Sequence, residues 1–155
     1  MDEMVARSIA KWPDVPAVYG WLALDRRGNW LIKGQRIGNP GLRGFIARNY
    51  EADGRGCWYF QNGPQRVFVA LAYTPLVVRH DGERLLDHCD RPFAARRLFL
   101  DDEGSVLALG EAGIALLDDR DLERYAERAD EMERIRRDDV AARFGFVPDP
   151  ADSLR

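Results

Sequence analysis

Three side chains of the sequence have the chemistry of a nucleophile and its base: the thiol of Cys57 and the imidazoles of His80 and His88. A cysteine becomes a catalytic nucleophile when a neighbouring base activates it. The stretch GRGCWYFQNGPQRVFV, residues 54–69, instead reads as a hairpin that places Cys57 on an apolar strand face. Because an apolar face raises the pKa of a thiol, we predict a buried thiol and no catalytic residue. A small enzyme built around these three residues is the alternative.

The run Asp87-His88-Cys89-Asp90 places four potential metal ligands in consecutive positions. Consecutive residues rarely reach one ion, and no second pair such as CxxC or HxxxH accompanies them. We therefore predict no metal site here and interpret the stretch as a solvated loop. The glycine-bearing stretch 34–41 matches neither GxGxxG nor a P-loop, so we predict no cofactor.

Eleven of the sixteen aromatic residues lie between Trp12 and Tyr73. Tryptophan, tyrosine and arginine dominate the energetics of interfaces, so this half of the chain has the residues of a ligand cleft or protein interface. The alternative is a core, because aromatic residues at alternating strand positions are usually buried. The pattern favours the core over a binding face. The candidate binding face comprises Tyr19, Trp21, Trp30, Trp58 and Arg66.

The charge balance argues against a nucleic-acid partner. Lys and Arg number 23 and Asp and Glu number 26, which gives a net charge of −3. Phosphate backbones are bound through concentrated positive charge, and this chain has no such excess. A protein partner or a homodimer therefore stays open, and the composition says nothing about a small-molecule ligand.

The distribution of apolar residues and cysteines predicts a cytoplasmic protein without membrane association. No apolar run approaches the roughly 20 residues that span a bilayer. We expect no secretory signal in the first residues, which carry two acidic residues and no apolar region. The two cysteines are too few for a disulfide framework, so we expect free thiols in a reducing compartment.

Alternating apolar residues and turn signals predict a series of hairpins. VYGWLALDRRGNWLIKG predicts one, in which pairing Leu24 with Asn29 places Trp21 and Trp30 on the same face. Helices are predicted in the first dozen residues, over about 41–51, and as a long amphipathic element from Asp119. Further strands are predicted at 57–61, 66–73, 97–101, 105–109 and 113–117.

These elements predict a single α+β domain over residues 1–147 and a C-terminal tail at residues 148–155. A curved, mostly antiparallel sheet, with a partly closed barrel as the variant, packs against two or three helices, of which the C-terminal one is long. Residues 22–25, LALD, match residues 98–101, LFLD, at an offset of 76. This match is explained by a duplicated hairpin–helix unit or by the pattern that hairpins share.

The segments KWPDVPAVYGWLALDRRGNW and FIARNYEADGRGCWYFQNGPQRVFVAL together resemble an uncharacterised proteobacterial family of conserved hypothetical proteins. The similarity covers residues 11–79. The resemblance implies a cytosolic bacterial setting and carries no activity, cofactor or catalytic residue. The residues themselves favour a non-enzymatic cytosolic binding or protein-interaction domain that uses the aromatic and arginine face of the N-terminal half.

Overall fold

The structure, a computed structural model, describes residues 12–154. The chain forms two compact units, one comprising residues 12–25, 29–72 and 147–154 and the other comprising residues 26–28 and 73–146. Both contain short strands together with short helices, which confirms the predicted α+β class. The helix predicted for the first dozen residues lies, apart from its last position, outside the described residues.

One sheet and one helix form the first unit. Its elements are β1 (Ala17–Leu24), β2 (Trp30–Ile32), β3 (Gln35–Arg36), α1 (Pro40–Arg48), β4 (Tyr50–Ala52), β5 (Trp58–Asn62) and β6 (Gln65–Leu71). The strands form a sheet in the order β3-β2-β1-β6-β5-β4. Strands β1 and β6 run parallel, and this central pair joins two antiparallel three-stranded meanders.

Helix α1 begins where the sequence provides a cap. The side chain of Asn39 accepts a hydrogen bond from the Leu42 N–H at 2.9 Å, which satisfies a donor that the helix itself leaves open. Pro40 stands in the first turn, where its missing N–H is not needed. The ring of Phe45 meets the ring of Phe60 edge to face at 5.3 Å, so the helix covers one face of the sheet.

A second sheet and two short helices form the second unit. Its elements are β7 (Leu76–His80), β8 (Leu85–Asp87), β9 (Pro92–Phe93), β10 (Arg97–Asp101), β11 (Val106–Gly110), β12 (Gly113–Leu117), α2 (Leu122–Tyr125), β13 (Glu133–Ile135) and α3 (Val140–Phe144). The strand order is β13-β10-β11-β12-β7-β8-β9. The pairs β7–β12 and β10–β13 are parallel, and the other pairs are antiparallel.

The long helix predicted from Asp119 is wrong. Two 3₁₀ turns, Asp119–Asp121 and Ala126–Glu131, flank the four-residue helix α2, and the chain then enters strand β13. Strand β13 pairs with β10, a partner more than 30 residues earlier in the chain. Helix propensity is a weak prior, and this long-range pairing overrides it.

The prediction of one sheet is also corrected, because the strands form two open sheets. The two sheets nevertheless share one topology. The order β9-β8-β7-β12-β11-β10 repeats the order β3-β2-β1-β6-β5-β4, including the central parallel pair. By this correspondence β1 matches β7, whereas the offset of 76 matched β1 with β10. The internal repeat is therefore present in the topology, but not in the alignment that the sequence suggested.

Four hairpin turns share one hydrogen-bonding pattern, and this pattern explains the misleading match. In each turn an aspartate carboxylate accepts the N–H of the residue four positions later. The residue three positions after the aspartate has a positive φ, which favours glycine. The aspartates are Asp25, Asp53, Asp87 and Asp101, and the positive-φ residues are Gly28, Gly56, Asp90 and Gly104. LALD and LFLD thus match because both precede the same kind of turn.

Residues 147–154, most of which were predicted to form a tail, belong to the first unit. The Leu71 N–H donates to the Pro148 carbonyl at 2.7 Å. The following 3₁₀ turn, Pro150–Leu154, buries Pro150. The predicted domain boundaries themselves stay a prediction.

Candidate ligand-binding site

Cys57 lies in a closed apolar cluster of the first unit. Its exposed fraction is 2%, and it packs with Tyr59 and Phe68, as the strand alternation predicted. Burial raises the pKa of the thiol, and the negative charge of Asp53 raises it further. A thiol in these surroundings stays protonated at neutral pH and is a poor nucleophile.

The two histidines belong to the second unit, whereas Cys57 belongs to the first. Nδ1 of His80 accepts the Gly82 N–H at 2.9 Å, and Nδ1 of His88 accepts the Val77 N–H at 3.2 Å. Burial lowers the pKa of His88 to about 3, so its ring is neutral at physiological pH. Both rings thus use a nitrogen to hold the backbone of their own hairpins.

The run from Asp87 to Asp90 is a turn rather than a ligand set. The Asp87 carboxylate accepts the N–H groups of Cys89 and Arg91, and Asp90 pairs with Arg79 at 2.6 Å. Burial raises the pKa of the Cys89 thiol to about 12. Within residues 12–154 no group of three or more His, Cys, Asp or Glu side chains is arranged to hold a metal ion.

The five residues of the candidate binding face do not share one face of the sheet. Leu24 pairs with Trp30, not with Asn29 as predicted, and a shift of one residue turns every side chain of a strand to the other face. The side chain of Trp30 therefore lies on the other face of the sheet from that of Trp21. It is 2% exposed and meets Tyr50 edge to face at 4.8 Å.

Trp58 belongs with Trp30 on the face that helix α1 covers. Its ring lies 4.9 Å from that of Tyr50, which Trp30 also contacts. Trp58 pairs with Ala52, and the neighbouring pair Tyr50–Phe60 is buried. Trp30 is thus a core residue, whereas Trp58 is half-buried, and a binding role for Trp58 stays a prediction.

Tyr19, Trp21 and Arg66 lie on the opposite face. Tyr19 stacks on Phe68 with a centroid distance of 4.8 Å and an interplanar angle of 8°. The guanidinium of Arg66 lies 4.4 Å from the ring centre of Tyr59. Tyr19 and Trp21 are half-buried and Arg66 is exposed, so a binding role stays a prediction for these three residues as well.

The second unit contains a cavity that the sequence did not predict. It has a volume of about 480 Å³ and is lined by Leu100, Ile135 and six charged residues, and we call it the arginine cavity. The parallel pair β10–β13 forms part of its wall, and helix α3 contributes one arginine. The charged residues are Asp101, Asp102, Arg134, Arg136, Asp139 and Arg143.

Two of the three arginines that line the arginine cavity belong to one short segment of the chain. Arg134 and Arg136 flank the buried Ile135 and are both exposed. Because strand residues alternate in direction, both point away from the side on which Ile135 is buried. Among the described residues, neither arginine has its guanidinium within ion-pair distance of a carboxylate, although the Arg137 N–H and, less strongly, the charge of Arg136 lower the pKa of Asp102. Both side chains are therefore accessible to an anion.

The third arginine, Arg143, is held in place from two sides. Its guanidinium carbon lies 5.0 Å from the ring centre of Phe99, and its side chain forms an ion pair with Glu133. Glu133 also pairs with Arg97. Hydrogen bonding from Arg143 lowers the pKa of Glu133. Arg143 is thus partly neutralised before any ligand binds.

The three carboxylates of the arginine cavity differ in burial and in the number of hydrogen bonds that they accept from the protein. Asp101 is buried and accepts the Tyr73 O–H at 2.8 Å as well as two turn N–H groups. Asp102 accepts the Arg137 N–H at 2.6 Å, which lowers its pKa. Asp139 is exposed, and its side chain makes no capping hydrogen bond to helix α3.

A smaller cavity of about 280 Å³ in the same unit is lined by arginines that already have partners. Arg97 pairs with Glu133, and Arg128 pairs with Glu131 at 3.1 Å. The guanidinium of Arg128 also lies 5.9 Å from the ring centre of Tyr125. The arginine cavity is therefore the better candidate for a ligand.

Comparison with known proteins gives a family and a fold. The model of the family DUF2944, described as "Protein of unknown function (DUF2946)", matches residues 1–151, which confirms the resemblance to an uncharacterised family. Two crystal structures of DUF1285 family proteins are similar. One, from Silicibacter pomeroyi, is 17% identical, covers 77% of this chain and 74% of its own, and has a TM-score of 0.54.

The second structure, from Shewanella baltica, is 15% identical, covers 68% of this chain and 90% of its own, and has a TM-score of 0.53. At these identities the likeness concerns the fold alone. Among curated proteins none matches the sequence. Every helix within residues 12–154 is too short or too polar to cross a membrane.

Proposed function

Since the chain belongs to the DUF2944 family, whose description states no function, we propose its function from the geometry of its arginine cavity. The protein is a non-enzymatic module that binds a small molecule, and Arg134 and Arg136 hold the anionic group of that molecule. The observation behind this proposal is that two exposed arginines, neither within ion-pair distance of a carboxylate among the described residues, line one cavity of about 480 Å³.

The chemistry of arginine supports this assignment. The planar guanidinium presents several N–H donors in a fixed geometry that matches carboxylate and phosphate oxygens. Small-molecule sites usually occupy about 300–1,000 Å³, and the arginine cavity falls in that range. Leu100, which pairs with Arg134 across the two strands, provides apolar surface for the uncharged part of the ligand.

The surroundings of the reactive groups favour binding over catalysis. Burial raises the pKa values of Cys57 and Cys89, so neither thiol is activated. Both cysteines are free thiols, which suits the reducing cytoplasm that we propose as the location. Fractionation of cells with an antibody against the protein tests the location, and recovery from the periplasm or membrane would exclude it.

Isothermal titration with inorganic phosphate and with glutarate tests the anion site. We expect measurable binding to the native protein. The double substitution Arg134→Gln and Arg136→Gln should weaken it by about tenfold or more, the loss expected for charge-assisted hydrogen bonds. The matched control is Arg36→Gln, an exposed arginine of the first unit. Equal affinity of the double variant and the native protein would refute the proposal.

The open face of the first sheet supports a second proposal. Tyr19, Trp21 and Arg66 lie on one face with partial exposure, and these residue types are enriched at interfaces. We propose that this face contacts a protein, with a second copy of the chain as the simplest partner. Light scattering during size-exclusion chromatography should show a dimer that Arg66→Glu and Trp21→Ser shift toward monomer. A monomer at every concentration would exclude the homodimer.

A further inference from the structure

We infer that the ligand of the arginine cavity is zwitterionic: it carries an ammonium group in addition to its carboxylate or phosphate group. This inference rests on the proposed anion site. Three arginines and three aspartates line this cavity. The lining as a whole therefore has no net formal charge.

A balanced lining selects against ligands of one sign. A ligand with only negative charges gains from the arginines but is repelled by the carboxylates a short distance away. A ligand with only positive charges meets the opposite conflict. A molecule with both signs gains from both sets, and unfavourable contacts of this kind are how sites reject the wrong ligand.

The carboxylates available to an ammonium group are Asp102 and Asp139. Asp101 is occupied by the Tyr73 O–H and by the backbone of its own turn, so its role belongs to the fold. Asp102 is exposed, and one of its oxygens accepts the Arg137 N–H. That hydrogen bond and, less strongly, the charges of Arg136 and Arg137 lower its pKa, so the carboxylate is ionised at neutral pH.

Asp139 is the carboxylate of the cavity with the fewest interactions with the rest of the described protein. It directly precedes helix α3, and its side chain forms neither a helix cap nor an ion pair with another residue in the range 12–154. It lines the same cavity as Arg136, three positions earlier in the chain. A carboxylate in this position can accept the N–H groups of an ammonium while Arg134 and Arg136 hold the anionic end.

Two matched ligand pairs test the inference by titration calorimetry: L-glutamate with glutarate, and phosphoethanolamine with ethyl phosphate. The members of each pair differ by one ammonium group. We expect the zwitterionic member to bind about tenfold more tightly in at least one pair, the effect of one good charge pair. The double substitution Asp102→Asn and Asp139→Asn should abolish this preference while leaving the anion-only members bound at least as tightly as before.

Each outcome bears on a different step. Equal or tighter binding of glutarate and ethyl phosphate would overturn the zwitterion inference and leave the anion site standing. No binding of any of the four ligands or of inorganic phosphate would overturn the proposed function itself. Asp139→Asn alone provides a second variant, because no side-chain contact of Asp139 within the described residues is lost, and circular dichroism confirms that it is folded. A preference unchanged in both variants would remove these two carboxylates from the site.

Discussion

Gly28 and Gly104 occupy the same position in two aspartate-initiated turns, but they differ in what surrounds them. Their φ angles are 81° and 85°, a region that side chains disfavour. A Cβ on Gly28 would lie 2.7 Å from Cβ of His88, whereas a Cβ on Gly104 would meet nothing within 4 Å. Backbone conformation alone therefore requires glycine at one position, and packing adds a second requirement at the other.

Alanine at these two glycines should separate the two requirements. We expect Gly104→Ala to lower the free energy of unfolding by about 1 kcal/mol, the cost of the left-handed conformation. Gly28→Ala should lower it by about 3 kcal/mol, because overpacking adds to the same cost. Urea titration measures both. Equal losses would show that the His88 side chain moves aside.

The neutral ring of His88 makes the second unit sensitive to acid. Burial lowers the pKa of His88 from 6.5 to about 3, so the folded protein holds the neutral form and the unfolded chain binds the proton first. This contribution to stability is complete above pH 6.5 and is lost as the pH falls toward 3. From pH 7 to pH 5 it should decrease by about 2 kcal/mol.

His88→Asn keeps an acceptor for the Val77 N–H but cannot titrate. We expect the unfolding free energy of this variant to depend less steeply on pH between about 5 and 7 than that of the native protein. Urea titrations at several pH values measure the two slopes. Identical slopes would show that His88 is not the residue that titrates on unfolding.

Among the secondary-structure elements, the register of the β1–β2 hairpin determines which tryptophan side chain is buried in the core. The alternation around Cys57 was predicted correctly from the sequence, since Cys57, Tyr59 and Phe68 form the expected cluster. The register of the first hairpin was not, because an aspartate turn pairs Leu24 with Trp30 instead of Asn29. A local pattern determines which residues alternate, but the turn geometry determines which strand residues face each other.

Alanine substitutions of the two tryptophans test this register. Trp30→Ala should lower the free energy of unfolding by about 3–5 kcal/mol, the usual cost of removing a buried aromatic side chain. Trp21→Ala should cost less, about 1 kcal/mol, because Trp21 is half-buried on the other face. Chemical denaturation measures both values. A larger loss for Trp21→Ala would contradict the observed pairing.

The arginine cavity shows why a site can escape sequence analysis. The segment from Glu133 to Arg136 reads as part of a charged helix, because Glu and Arg residues recur at helical spacing. In the structure Glu133–Ile135 is a strand. The only sequence pattern that indicates it is the polar–apolar alternation of Arg134, Ile135 and Arg136. Three residues of alternation are too few to outweigh a helical pattern, and only the pairing with β10 settles the matter.

In the molecule as a whole, the parallel strand pair at the centre of each sheet could not be predicted from the sequence. Turn residues predict the antiparallel hairpins. Strands β1 and β6, in contrast, pair across more than 40 residues, and no local sequence pattern indicates this pairing. The repeated strand order was hidden for the same reason. Apolar alternation and turn signals predicted the hairpins and the α+β class, and the long-range pairings determine how the hairpins combine.

Residues 147–154 complete the first unit, so their removal should expose its interior. Val147 packs against the cluster of Cys57, Tyr59 and Phe68, and its N–H donates to the Gly56 carbonyl at 2.9 Å. We expect a chain ending at residue 146 to react with a thiol reagent at Cys57 at least about tenfold faster than the full chain, as burial of the thiol is relieved. Cys89→Ser in both chains isolates the signal.

A chain ending at residue 150 is the matched control, because it keeps Val147 and the hydrogen bond from Leu71 to Pro148. It should react almost as slowly as the full chain. If the chain ending at residue 146 reacts just as slowly, the C-terminal segment does not protect Cys57.

The division of the first unit between distant segments has a consequence for the order of events on the ribosome. Domains usually fold as units during synthesis, the N-terminal one first. Here residues 12–25 and 29–72 leave the exit tunnel early, yet the unit to which they belong also requires residues 147–154, which are translated after the whole second unit. The unit that is synthesised first is therefore completed last. Its aromatic strands become fully buried only after residues 147–154 have been translated.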